Sequence, residues 1–444
     1  MNPLVIVPVI ISSRNKKQGD SVLTTYDHAT PMSQTGELPR LLDSLRKVDH
    51  VSHVVILVVS ENTITEPAAI KIERLAMQYT EFNTMIIGAD ELNVIHKRAG
   101  ELGVPNVQKE IALTSYGAIR NVGLSIAQIF GFDSVIFLDD DEVVDDKDFM
   151  SKAVYGLGKL TKSGVPIIAK TGYYLNRFGN YTSRHKANWY DRFWQKGRAF
   201  NQWITKAMKG PRLSRSSHVC GGIMVLHKQA FTRLAFDPWV ARGEDLDYML
   251  NLRMYGGDIW FDNQLEVKHL PPKIPSEGVR FRQDIYRWLY EYRKLEYSRT
   301  QIDLLQIRAQ DLKPYPGIFL DHDIERRIKL TARLRSFGRP DKKEYRAAAK
   351  AATGEANIFA QRNCKNYFEF QRVWPQFMQL VAGDKDLQEQ LEAAGHNRRR
   401  AAWKEMQAEN DLEAAKAAMS REESVKKSNV DAGETGEIHL NIAD

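Results

Sequence analysis

The chain is poor in cysteine and has no long hydrophobic run. Its 444 residues include only two cysteines, Cys220 and Cys364, which argues against a disulfide framework and indicates a reducing cytosol. No apolar stretch approaches the ~20 residues needed to span a bilayer. The apolar run at residues 4–11 is short, contains Pro8 and lacks a basic start, so we interpret it as a first strand and not as a signal peptide. These absences predict a cytoplasmic location, with the inner face of the membrane as a further candidate.

The composition is that of a large globular protein in which basic residues outnumber acidic ones. The chain is 43% hydrophobic and 27% charged, and its length predicts roughly two domains. A formal charge of +7 suits nucleotide phosphates, an anionic membrane face or nucleic acid, and does not choose among them. The sequence contains no recognised nucleic-acid-binding module, so we predict no nucleic-acid partner.

Strand-like and helix-like segments alternate through the first part of the chain. We predict strands at residues 4–11, 54–59, 84–87 and 135–138, and helices at residues 37–45, 66–79 and 115–130. This alternation predicts an α/β fold with a largely parallel, Rossmann-like sheet. Later segments predict strands at 219–226, 258–261 and 265–268, and helices at 244–255 and 281–310.

The domain prediction follows these changes in character. We expect a catalytic domain at residues 1–275, divided into a nucleotide-binding half (1–140) and an acceptor half (141–275). A charged helical extension is expected at 276–420, and a polar, disordered tail at 421–444.

Three consecutive carboxylates, Asp139 to Asp141, follow the apolar run at residues 135–138. Side chains alternate along a strand, so Asp139 and Asp141 are expected to point the same way. Two carboxylates at the carboxyl end of a buried strand, where α/β sheets bind ligands, predict a Mg²⁺ or Mn²⁺ site. Such a metal normally holds a diphosphate.

The triple aspartate has other interpretations. One is an acidic surface loop. A calcium-binding EF-hand loop is rejected because Val144 stands where glycine is required. A haloacid-dehalogenase-type phosphatase fits the spacing of Asp139, Asp141 and Val143, with Asp139 as nucleophile and Asp141 as acid/base. That motif usually opens its domain, however, whereas several α/β units precede it here.

Two further motifs lie downstream. Glu244 and Asp245 open a predicted helix directly after Arg242 and Gly243. They are either dipole-favoured capping residues or contain a general base that reaches an attacking hydroxyl. His269 follows a predicted strand and is a suitable third ligand for Mn²⁺ beside two carboxylates.

The order of these motifs resembles the GT-A-fold glycosyltransferases, most closely glycosyltransferase family 2. The resemblance covers roughly residues 3–272. It rests on the opening strand at 5–8, the Ala-Arg-Asn-x-Gly-like helix at 116–124, the acidic triplet, the Gly-Gly segment at 220–225, the Glu-Asp pair and the late histidine.

The resemblance implies a metal-dependent transfer of a sugar from a nucleotide-sugar donor to a hydroxyl acceptor, with inversion favoured. It implies a metal site at Asp139, Asp141 and His269, a base at Asp245, and Glu244 in a supporting catalytic role. The residues that it places around the substrates are Pro8, Glu61, Arg120, Asn121, Asp140, Gly221, Gly222 and Arg242. The family's acid after the second strand is missing, and Glu61 is the substitute that we propose for it.

The acceptor could be a glycan, a lipid-linked molecule or a small hydroxyl compound. Residues 176–215, crowded with aromatic and basic side chains such as Arg184, His185 and Trp194, are either an acceptor site or a packed helix pair. The helix predicted after residue 281 could make a peripheral membrane contact, but packing on the catalytic domain is the favoured interpretation.

The alternatives to a transferase are the phosphatase and a non-catalytic protein that binds nucleotide-sugars or glycans. A pyrophosphorylase-like enzyme is set aside, because residues 8–15 contain no glycine.

Overall fold

The computed structural model describes residues 1–13, 26, 28–183, 188–272, 276–352 and 354–431, and gives only the backbone of residues 418 and 420–431. Ten strands form one sheet in this part of the chain. They are β1 (Pro3–Ser12), β2 (Thr30–Pro31), β3 (His53–Ser60), β4 (Asn83–Ile87), β5 (Ser134–Phe137), β6 (Glu142–Val143), β7 (Ala169–Leu175), β8 (Leu213–Arg215), β9 (Met224–His227) and β10 (Trp260–His269).

The main path of the sheet has the order β4-β3-β1-β5-β9-β7-β10-β6. β1 is parallel to β3 and β5, β3 is parallel to β4, and β7 is parallel to β10. β9 runs antiparallel between β5 and β7. The predicted fold class, a mostly parallel Rossmann-like sheet flanked by helices with a helical C-terminal region, is therefore confirmed.

The helices cover the sheet and build the C-terminal region. They are α1 (Leu38–Leu45), α2 (Thr65–Ala76), α3 (Ala89–Glu101), α4 (Tyr116–Ile129), α5 (Phe149–Val154), α6 (Lys196–Met208), α7 (Lys228–Phe231), α8 (Glu244–Met254), α9 (Glu277–Ser298), α10 (Ile324–Gly338), α11 (Lys342–Ala351), α12 (Glu355–Leu380) and α13 (Lys385–Asp431). No helix in the described ranges combines the length and the apolar character needed to cross a bilayer.

The central strand β1 shows why the sheet is buried on both faces. Leu4 and Ile6 pack into one hydrophobic core, and Val5 and Val7 pack into the other. The side chains of this apolar run alternate between the two faces of the sheet and so contribute to both cores, as expected for a parallel strand covered by helices on each side. The carboxyl ends of β1 and β5 are therefore the ends of rigid, buried strands.

Three predicted strands differ in the structure. The segment predicted as a strand at 219–226 begins with a 3₁₀ turn at Gly221–Ile223, and only Met224–His227 is strand. The two strands predicted at 258–261 and 265–268 are the single strand β10, whose register with β7 shifts between Phe261 and Glu266. A bulge of this kind interrupts the alternation that a sequence pattern shows.

The helix predicted at 281–310 ends at Ser298. The hydroxyls of Ser298 and Thr300 donate to the carbonyls of Leu295 and Tyr297, and such local bonds compete with helix continuation. The prediction also missed α3, whose buried face is small.

The last helix returns to the first half of the chain. Arg398 of α13 donates to Glu91 at 2.6 Å and to Glu73 at 3.1 Å, and all three side chains are buried. The helix continues through Asp431, so the first residues of the predicted tail are helical, and the remainder, 432–444, lies outside the described residues.

Candidate active site

A cleft of about 230 Å³ opens where the loop after β5, the end of β10 and the start of α8 meet. Helix α9 of the C-terminal region closes one side. The side chains that line the cleft and matter below are Pro8, His28, Tyr116, Arg120, Asp139, Asp140, Asp141, Gly221, Arg242, Gly243, Glu244, Asp245, His269, Arg280 and Arg287.

The acidic triplet lies in a loop, because β5 ends at Phe137. The strand alternation expected for Asp139 and Asp141 therefore does not apply, and the loop geometry is set by hydrogen bonds. The N–H of Asp139 donates to Glu142 Oε2 at 3.0 Å. The carbonyl of Asp141 accepts from the N–H of Leu270 at 3.0 Å and from Arg40 Nη2 at 3.2 Å. The triplet is thus held between α1 and the end of β10.

Asp141 lies between two imidazoles. Its Oδ2 is 3.3 Å from His269 Nε2 and 3.7 Å from His28 Nε2, while Asp140 Oδ1 is 3.4 Å from the same His28 nitrogen. Ligand atoms of His28, Asp140 and Asp141 lie within 4.8 Å of one another. His269 is held against the ring of Tyr174, with 4.8 Å between the ring centroids.

The environment of Asp141 fits a divalent cation. Its side chain is 1% exposed, and Oδ2 lies 3.3 Å from His269 Nε2. Burial acts to raise the pKa of Asp141, but the imidazoles of His269 and His28 lower it, so the carboxylate is favoured and a cation would compensate its charge further. Carboxylate oxygens with imidazole nitrogens suit Mn²⁺, and oxygens alone suit Mg²⁺.

Asp139 is placed differently from its two neighbours. Its Oδ1 is 3.7 Å from Nη2 of Arg120, whose Nε donates to Glu244 at 2.8 Å. Burial raises the pKa of Asp139 to about 6, with the Arg120 guanidinium acting in the opposite direction. Arg120 also stacks over Phe137, 4.7 Å from the ring centroid, which fixes the cation between the two carboxylates.

Gly243 caps α8 and brings its first turn into the cleft. It adopts a φ of 73°, and the acidic residues Glu244 and Asp245 follow at the positive end of the helix dipole. Asp245 Oδ1 accepts the N–H of Leu246 at 2.7 Å. Oδ2 of the same residue lies 3.2 Å from the position that a Cβ on Gly221 would take. Asp245 is therefore oriented, while Glu244 is engaged with Arg120.

We expect Gly243→Ala to cost more stability than Gly256→Ala. Both positions have positive φ, so each alanine costs about 1–2 kcal/mol. Only at Gly243 would the new Cβ lie 1.9 Å from the Arg287 guanidinium carbon, whereas the Cβ at Gly256 meets no atom within 4 Å in the described structure. Urea unfolding of both variants measures the difference. Equal losses would contradict a close contact between Arg287 and the loop.

The remaining residues predicted from the sequence have varied positions. Pro8 and Arg242 line the cleft. Asn121 is fully buried, and its amide bonds the backbone of Glu110 and Phe236, which joins α4 to the loop before α8. The carboxylate of Glu61 accepts from the Ser13 hydroxyl at 2.6 Å, outside the residues described as lining the cleft.

Gly221 and Gly222 leave room for the site carboxylates. A Cβ at Gly222 would lie 2.0 Å from Glu142 Oε1 and 2.7 Å from Asp139 Oδ2. The N–H of Gly222 also donates to the Tyr174 hydroxyl at 2.7 Å. The Gly-Gly pair thus permits a close approach of the turn to the acidic loop.

Sequence reasoning missed His28, Arg280 and Arg287. His28 is a single histidine in an irregular segment, and no pattern marks it. Arg280 and Arg287 stand seven residues apart on α9, so the helical period places both on one face and could have indicated them. Of the aromatic and basic block, Trp194 packs on Phe281 and Phe319, as the packed interpretation predicts. Arg184 and His185 lie outside the described residues.

No protein-family model and no curated protein matches the chain. Solved structures that the chain matches in part include a mannosyltransferase, PcManGT from Pyrobaculum calidifontis in complex with GDP-Man and Mn²⁺. It is 13% identical, with coverage of 86% of this chain and 85% of that chain and a TM-score of 0.41. GalNAc-T7 with UDP, GalNAc and Mn²⁺ is 13% identical over 76% of this chain and 58% of that chain, with a TM-score of 0.36. S. aureus TarS is 12% identical over 79% of this chain and 55% of that chain, with a TM-score of 0.34.

Proposed function

We propose that the protein is a metal-dependent glycosyltransferase that moves a sugar from a nucleotide-diphosphate sugar to a hydroxyl acceptor. The observation that carries the proposal is the buried Asp141 carboxylate, which is flanked by two imidazoles and lies in the same cleft as the oriented Asp245. A metal group and a carboxylate base that face one cleft are the two parts that this reaction requires.

In this proposal Asp141, with Asp140 and the imidazoles of His28 and His269, holds Mn²⁺ or Mg²⁺, and Asp139 completes the acidic side of the site. The cation would neutralise the diphosphate and act as a Lewis acid on the leaving group. Arg120 lies beside Asp139 and supplies a fixed positive charge at this side of the cleft.

Asp245 is the proposed general base for an inverting transfer. Its carboxylate lines the cleft and is positioned by the start of α8, so it can accept the proton of an acceptor hydroxyl as that oxygen attacks the anomeric carbon. Glu244 keeps Arg120 in place through the 2.8 Å contact. We assign Glu244 a positioning role for this reason.

The donor proposal is tested by thermal-shift measurements with a panel of nucleotide-sugars, each with and without Mn²⁺. A ligand at 100 times its Kd stabilises the folded state by about 2.7 kcal/mol. We expect one donor to stabilise the protein in the presence of Mn²⁺ and not in its absence. Failure of every donor with Mn²⁺ would overturn the proposal.

The same preparation separates the two alternatives. Acceptor-dependent release of nucleotide diphosphate is expected of the transferase. A phosphatase would instead hydrolyse p-nitrophenyl phosphate, with activity lost in Asp139→Asn. A non-catalytic binding protein would bind the donor with Mn²⁺ but release no nucleotide diphosphate with any acceptor.

A further inference from the structure

We propose that the acceptor carries a phosphate or carboxylate group, which binds to four cations on the α9 side of the cleft. This cation cluster consists of Lys196, Arg242, Arg280 and Arg287. The inference rests on the proposed transferase function and names the chemical class of its acceptor.

Three separate segments bring the cation cluster together. Arg280 and Arg287 come from one face of α9, Lys196 is the first residue of α6, and Arg242 precedes α8. The three arginines line the cleft. Lys196 Nζ lies 3.1 Å from Oδ2 of Asp284, which stands between the two arginines on α9. Residues from distant parts of the sequence thus place three arginines at one wall of the cleft, and Lys196 adjoins them through Asp284.

Arg287 is the most firmly fixed member of the cluster. Its Nε donates to Glu291 at 3.0 Å, and its guanidinium stacks on Trp288, 4.6 Å from the ring centroid. The missing side chain of Gly243 lets this guanidinium approach the α8 cap closely. A preorganised guanidinium is a suitable partner for a carboxylate or phosphate.

One carboxylate, Asp284, lies among the cations of the cluster. Although burial acts in the other direction, the four cations lower the pKa of Asp284 to about 2, so it is ionised. Burial raises the pKa of Glu291, the hydrogen-bond partner of Arg287, to about 8, with the Arg287 guanidinium acting in the opposite direction. All four cations of the cluster thus act on the single carboxylate of Asp284. An anion that enters the cleft would relieve the repulsion among the cations.

The position of the cluster favours the acceptor over the donor as the source of this anion. The guanidinium of Arg287 lies against Gly243, two residues before Asp245, the proposed base. At the metal side, Asp139 instead lies 3.7 Å from Arg120, which is not a member of the cluster. An anionic group on the cluster would thus sit beside the base, where the attacking hydroxyl must also lie.

The test compares glucose 6-phosphate and glucuronate with glucose as size-matched probes. Their binding is titrated calorimetrically to protein that holds Mn²⁺ and the nucleotide diphosphate chosen by the donor screen. We expect at least one anionic probe to bind ten-fold or more tightly than glucose. The stronger of the two identifies phosphate or carboxylate as the preferred group. Equal affinities, or no binding of either anionic probe, would overturn the proposal.

Two variants assign the effect to the cluster. Arg280→Gln and Lys196→Gln are each expected to weaken the anionic probe about ten-fold, with unchanged affinity for the nucleotide diphosphate. Arg299→Gln, which removes the same charge from the exposed end of α9, serves as the matched control and should change neither affinity. If the variants instead weaken the nucleotide diphosphate, the cluster belongs to the donor site and the proposal is wrong. If wild-type protein binds no nucleotide-sugar or nucleotide diphosphate with Mn²⁺, the proposed transferase function is wrong. The anionic probes are then titrated to protein without nucleotide, which still tests whether the cation cluster binds an anion.

Discussion

Asp141→Asn is expected to remove the Mn²⁺-dependent stabilisation by the donor and to lower turnover by about 10²–10³-fold. The substitution keeps the shape of the side chain but removes the charge of the carboxylate between His28 and His269. Thermal shifts with donor and Mn²⁺ measure the first effect, and acceptor-dependent release of nucleotide diphosphate measures the second.

Loss of the metal site can be separated from loss of the fold. Although burial acts to raise the pKa of Asp141, the imidazoles of His269 and His28 lower it, so the folded state favours the carboxylate and the variant without metal should unfold at a lower temperature than wild type. The Mn²⁺-dependent shift is measured relative to the unfolding temperature of each protein without metal. Asp145→Asn is the control, since Asp145 is an exposed acid of the same segment that pairs with Lys268. Full Mn²⁺ dependence in Asp141→Asn would show that Asp141 is not a metal ligand.

Lys294→Met is expected to destabilise the protein by about 3–5 kcal/mol. Lys294 Nζ lies 2.6 Å from Asp237 and 2.8 Å from Asp247, and all three side chains are at most 1% exposed. Methionine fills similar space but leaves two carboxylates buried without their cation. The contact joins α9 to α8, so urea unfolding measures how strongly the helical region stabilises the helix that carries Asp245.

The pH dependence of this loss has a defined sign. Burial raises the pKa of Asp247 to about 6 even with Lys294 present, and removal of the cation should raise it further. A raised folded-state pKa of a carboxyl group means that stability falls as pH rises from the unfolded pKa through the folded one. Lys294→Met should therefore lose more stability at pH 8 than at pH 5.

Two further variants complete this experiment. Lys343→Met, at an exposed position of α11, should change stability by less than about 0.5 kcal/mol. Adding Asp247→Asn to Lys294→Met should recover part of the loss, since it removes one of the unpaired charges. A loss below about 1 kcal/mol in Lys294→Met would refute a buried charge network.

The sequence predicted strands β1, β3 and β5 because unbroken apolar runs are typical of strands buried on both faces. It missed β7 and the short strands β2, β6 and β8. The prediction was weaker where a single residue changes the geometry, as at the turn of Gly221–Ile223 and at the bulge in β10. In both places the hydrophobic pattern continues although the hydrogen bonding does not.

For the site, the sequence located the acidic loop and the start of α8, but not the partners of each side chain. Arg120 and Asn121 are adjacent, and the sequence predicted the same role for both, next to the substrates. Arg120 faces the cleft and pairs with Glu244, whereas the amide of Asn121 bonds buried backbone groups. Neighbours on a helix point about 100° apart, so one step along the chain separates a site residue from a packing residue.

The amino-acid sequence by itself determined the alternating elements, the carboxylates after β5 and the acidic first turn of α8, because periodicity and capping act over a few residues. The tertiary structure alone decided that His28 and His269 flank Asp141 and that α9 brings Arg280 and Arg287 to the cleft. These contacts join residues far apart in the chain, and packing of whole elements determines them.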